Sequence, residues 1–94
     1  MPRFTDSELL TRALAALEDV HDRAREGPVE RTEELRFLLA WLGNRAREKW
    51  PFDSFWQTAT KAPGPEKADQ FGRRQTLTAA INGIYHQLGV KREH

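Results

Sequence analysis

TDSELLTRALAALEDVHDRAREGP, residues 5–28, holds a complete helix together with its start and stop signals. Thr5-Asp6-Ser7-Glu8 is a capping box: the Thr5 hydroxyl can accept from the Glu8 backbone N–H while the Glu8 carboxylate reaches back to the N–H of Thr5. Phe4 and Leu9 stand at the spacing of a hydrophobic staple. Leu10, Ala13, Leu14, Leu17, Val20 and Ala24 then recur at helical intervals and form one apolar stripe that needs a partner surface. Gly27-Pro28 closes the segment, because Gly accepts a left-handed cap and Pro cannot continue the ladder. The expected helix runs from about 6 to 26.

Beyond this segment, Thr32 is a plain N-cap candidate, and Glu33 and Glu34 complement the positive end of a second helix dipole. That helix is expected over about 32–50, with Arg45, Arg47 and Lys49 at its negative end and Pro51 stopping it near Trp50. Leu35, Leu38, Leu39, Leu42 and Ala46 form its main stripe. Phe37 and Trp41 point to nearly the opposite side at about 100° per residue. In the aromatic-rich run Trp50-Pro51-Phe52-Asp53-Ser54-Phe55-Trp56, Asp53 or Ser54 can cap a short helix over about 54–60. Pro63-Gly64-Pro65 is a turn, and a last helix follows over about 66–88. Its buried stripe is expected to be Phe71, Thr78, Ile81, Ile84, Tyr85 and Leu88, with Leu77 on the flank, Gly89 as C-cap and a fraying tail. No strand signal or internal repeat is present. The fold class is therefore all-α: one domain over 1–94, a small bundle of three main helices wound up-down-up plus one short connecting helix.

With 94 residues there is room for a single core. The chain has no cysteine, which removes disulfides, thiolate metal sites and cysteine nucleophiles. No apolar run approaches membrane-spanning length and the N-terminus has no apolar signal region, so a soluble, cytoplasmic protein at its natural length is expected, without a membrane partner. The net charge of +1 conceals an asymmetry, since residues 1–34 hold five basic and nine acidic side chains and residues 35–94 hold ten and five. Either an acidic first helix neutralises a basic remainder, or a basic face meets an acidic partner.

Little catalytic chemistry is legible. Glu18 and His21 have the Glu-x-x-His spacing of di-iron bundles, but only one copy exists, and His21 falls on the apolar stripe. His86 and His94 have no ligand partners at a recognisable spacing. Ser7 and Ser54 fall where caps are expected, and neither sits in a nucleophile elbow. The glycines form neither a phosphate loop nor a dinucleotide fingerprint. No enzyme activity, metal or cofactor is expected.

What remains is surface. Nine aromatics are many for three short helices, and Trp, Phe and Arg are the types enriched at interfaces. The expected function is a protein–protein interaction module of adaptor or inhibitor type, with self-association as one form of it. Its interface residues would be Phe37, Trp41, Arg45, Trp50, Phe52, Phe55 and Trp56. The alternative is a nucleic-acid-associated accessory protein using Arg36, Arg45, Arg47, Lys49, Arg73 and Arg74.

Overall fold

The structure, a computed structural model, describes residues 4–92, with Lys67 given by its backbone alone. Four helices follow one another: α1 (Asp6–Ala24), α2 (Glu33–Gly43), α3 (Trp50–Thr60) and α4 (Lys67–Leu88). The fold is a small all-α bundle, with no strand among the described residues. It is built from two hairpins. α2 packs closely on α1 alone, α3 packs most extensively on α4, and α1 touches both α3 and α4 to join the pairs.

α1 starts as its sequence implies. The Thr5 hydroxyl accepts from the Glu8 N–H at 3.2 Å and donates to Glu8 Oε1 at 3.2 Å, so the return bond from the carboxylate runs to the hydroxyl. The end differs from expectation. The helix stops at Ala24 with Arg25 as a right-handed C-cap, and Gly27 does not take the left-handed conformation. Arg73 of α4 supplies the missing cap instead: its Nε donates to the Ala24 carbonyl at 2.6 Å and its Nη2 to that of Gly27 at 3.2 Å. A buried guanidinium thus satisfies carbonyls that the helix end leaves without partners. The end of α3 is covered in a similar way by the loop after α1, where Val29 N–H donates to the Ala59 carbonyl at 2.8 Å.

α2 starts at the Thr32 cap, whose hydroxyl accepts from Leu35 N–H at 3.2 Å. It ends at Gly43, well short of Trp50. Gly43 lowers helix propensity, Asn44 takes the C-cap, and Arg45, Arg47 and Lys49 fall in the loop beyond rather than at the end of a helix dipole. Among the bonds that hold that loop, Glu48 N–H donates to Gln87 Oε1 at 3.0 Å, and Trp50 Nε1–H donates to Glu48 Oε2 at 2.8 Å. The connecting helix α3 has 11 residues, as many as α2. Pro51, expected to stop α2, sits in the first turn of α3, where its missing N–H would have had no partner anyway. Ser54 therefore lies inside the helix and caps nothing. Gly83 of α4 permits the close approach of α3: a Cβ there would lie 3.2 Å from Trp50 Cζ2 and 3.4 Å from Pro51 Cβ.

The core is contributed by all four helices: Leu17 and Val20, Leu38 and Leu42, Phe52 and Phe55, and Leu77, Ile81 and Ile84. On α4 the buried stripe is Arg73, Leu77, Ala80, Ile81, Ile84 and Tyr85. Phe71, expected on it, is 64% exposed, while Leu77, expected on the flank, is fully buried. The left-handed Gly89 closes α4, with φ 69°. Expected fraying at Glu93 and His94 falls outside the described residues, but the tail before them is held. Arg92 makes a bidentate pair with Glu18 at 2.7 and 3.1 Å and donates to Asn82 Oδ1 at 2.9 Å.

Candidate functional site

Because α2 leans on α1 and α3 on α4, the space between α2 and α3 is left as an open cleft of about 300 Å³. Its apolar surface comes from Leu39 and Ala40 on one side and Phe52 and Trp56 on the other, with Arg36 and Lys49 among its charged groups. Gly43, Asn44 and Asp53 complete the lining. The Trp56 indole is half-buried and carries the Arg31 guanidinium 5.0 Å from its ring centroid, a cation–π contact that steadies one wall. Beside the cleft, Phe37 stands 59% exposed.

The seven residues expected at an interface divide into three groups. Because Pro51 starts α3 early, Phe55 is fully buried in the core, while Phe52 packs against that core and keeps an edge on the cleft wall. Trp41 and Trp56 are half-buried against the core. Trp41 is roofed by Arg45, whose guanidinium lies 4.0 Å from its centroid and also pairs with Asp6 at 3.1 Å. Phe37, Trp50 and Arg45 are exposed, though Trp50 lays one edge against Gly83.

The basic residues of the nucleic-acid alternative are spread over several depressions. Arg36 and Lys49 line the α2–α3 cleft, Arg45 a second depression near Trp41, Arg47 a third beside Gln87, and Arg74 a fourth on α4. Arg73 is buried beneath the end of α1, and that burial pushes its guanidinium below its ordinary pKa.

His21 sits at the α1–α4 contact, only 1% exposed. Its Nε2 lies 3.3 Å from Thr78 Oγ1 and its Nδ1 3.4 Å from Asp22 Oδ1. Burial lowers its pKa below 6.5; the Asp22 hydrogen bond opposes this, Arg25 and Arg92 add to it, and Glu18 opposes it. The ring is therefore neutral at pH 7. Asp22, His21 and Thr78 stand in the order of a hydrolytic triad, but both contacts are long. Thr78 also lies inside α4, where backbone N–H groups are taken up by the helix and cannot form an oxyanion hole. The arrangement is chemically a staple between helices. Tyr85 nearby has its phenol pushed up to about 12, first by burial and then by the charge and hydrogen bond of Glu18. No group of three or more His, Asp or Glu among the described residues is placed to hold a metal, and no helix there is long and apolar enough to cross a membrane.

Sequence reasoning missed the cleft because it extended α2 through the loop. Gly43-Asn44 is the signal that could have found it: a stop there folds Lys49 and Asp53 back beside Ala40. Comparison with protein-family models, curated proteins and solved structures gives no match to this chain.

Proposed function

We propose that the chain is a small protein–protein interaction module, of adaptor or inhibitor type, that receives its partner at the α2–α3 cleft and the adjoining outer face of α2. The observation that carries this reading is the cleft itself. Two helices of one bundle diverge and leave apolar side chains of both within reach of solvent, with an exposed Phe37 alongside. Grooves between helices with apolar walls and charged rims accept amphipathic segments of other chains. A cysteine-free chain is suited to a reducing compartment, and the cytoplasm is where we place its work.

Ala40→Arg tests the reading, because Ala40 is exposed on a helix and lines the cleft, so a long side chain fills it without disturbing the core. Affinity capture from the native cell, read by mass spectrometry, should retain one or a few proteins on the wild-type chain and lose them on the variant. Circular dichroism and the melt should be the same for both. Identical captured sets for the two chains would show that the cleft is not the docking site.

A further inference from the structure

We infer that a second copy of this chain occupies the outer face of α2, lying antiparallel across it so that each Phe37 enters the other copy's cleft. The inference rests on the reading of α2 as a docking surface and names its occupant.

Three features of α2 carry it. Glu33, Phe37, Ala40 and Asn44 are all exposed and share one strip, at the alternating four-and-three spacing with which one helix meshes with another. Phe37 and Ala40 flank the midpoint of the helix, which spans Glu33–Gly43. A two-fold axis at that midpoint sets the largest side chain of the strip against the smallest, twice, and Glu33 against Asn44. Beyond Ala40 lie Gly43 and the apolar cleft walls, which give the incoming ring a seat. Charge selects the direction. Glu33 stands at the start of α2, while Lys49 lines the cleft beside Asn44, and neither makes an ion pair within the described residues. The antiparallel arrangement brings each Glu33 to the partner's end of the cleft that holds Lys49. A parallel one would set Glu33 on Glu33. An 11-residue helix is about 16 Å long, so the contact belongs to the small, reversible class of interfaces.

The test is sedimentation equilibrium of the full chain over about 1 µM to 1 mM. The wild type should self-associate, and Phe37→Asp should weaken the dimer by at least about 30-fold, the effect of losing a central aromatic anchor. The melt of this variant at low concentration should be unchanged. Glu33→Lys and Lys49→Glu should each weaken association several-fold, and their equimolar mixture should associate more tightly than either alone, since the mixed pair restores opposite charges at both ends. A wild type that stays monomeric throughout overturns the inference, as does a dimer indifferent to Phe37→Asp. Separately, a mixture no tighter than its components overturns the antiparallel register. Monomeric behaviour together with a capture of another protein that Ala40→Arg abolishes rejects the second copy and leaves the docking reading standing. Self-association that depends on Phe37, with no capture dependent on the cleft, supports the second copy and rejects a different protein at that site.

Discussion

Where α1 meets α4 and the tail after it, buried and partly buried polar groups meet one by one: Glu18 with Arg92, His21 with Thr78, and the Ala24 carbonyl with Arg73. Between α2 and α3 the chemistry is inverted, with Leu39, Phe52 and Trp56 apolar and no close packing of one helix on the other. No buried side-chain nitrogen or oxygen among the described residues is left without a partner. Polar groups at depth fix register, because a displaced helix would orphan each of them. An apolar opening at the surface constrains nothing within the chain and is available to another molecule. The bundle is thus specified where α1 meets α4 and left to be completed between α2 and α3.

The largest effect should come from the polar contact. Arg73→Ala removes a charged donor from two helix-end carbonyls and should lower unfolding free energy by about 3 kcal/mol in urea titration. A loss below about 1 kcal/mol would mean that water caps α1 equally well. Trp41→Ala comes next: a half-buried ring under Arg45 should cost the monomer about 2 kcal/mol.

Glu18→Gln weakens the partly buried pair with Arg92, and about 1.5 kcal/mol is expected. It also brings down the Tyr85 pKa from about 12, because Glu18 is one of the causes that raise it. Tyr85 is the one tyrosine in the sequence, so tyrosinate absorbance during an alkaline titration reads this directly. An unchanged titration would mean that Glu18 does not raise the Tyr85 pKa.

His21 gives a pH dependence of known sign. Its folded pKa lies below the unfolded 6.5, so between the two the unfolded chain binds the extra proton. Stability is complete above about 6.5 and is lost as pH falls towards the folded value. His21→Gln should flatten that part of the stability–pH curve, and a slope that persists would assign it to the carboxylates. The smallest effect belongs to the open side: Phe37→Ala should change monomer stability by no more than about 0.5 kcal/mol. A loss of several kcal/mol would make Phe37 a core residue and end the contrast.

Much of the helical content was legible because its signals are local. Thr5 and Thr32 cap as their sequence neighbours imply, and Gly89 takes the left-handed conformation at the end of α4. The errors share one cause, which is that a residue's local meaning can be overridden from a distance. Gly27 needs no left-handed cap because Arg73 arrives from 46 residues away. Pro51 stops nothing because the chain has already turned at Gly43-Asn44, and the same ring starts α3. Phe71 continues the α4 stripe by spacing, yet the stripe runs through Leu77 and Arg73, a charged position that an apolar pattern does not find. Of the expected interface, Phe37 was legible as lying off the main stripe, whereas residues 50–56 could be read either as a core cap or as an interface, since their environment depends on where α3 begins.

The polar ties of α1 to α4 and the tail after it also have a consequence for time. Arg73 and Ala24 are 49 residues apart, His21 and Thr78 are 57, and Arg92 and Glu18 are 74. The α1–α2 and α3–α4 hairpins, by contrast, pair neighbours in sequence through short loops. Contacts of long separation require the larger loop closures and are expected to form after the local ones. The hairpins should therefore assemble quickly and dock late, with Arg73 finding the end of α1 beyond the main barrier. In stopped-flow experiments, Arg73→Ala should leave the refolding rate nearly unchanged and accelerate unfolding, so the guanidinium that caps a helix also sets how long the folded chain persists.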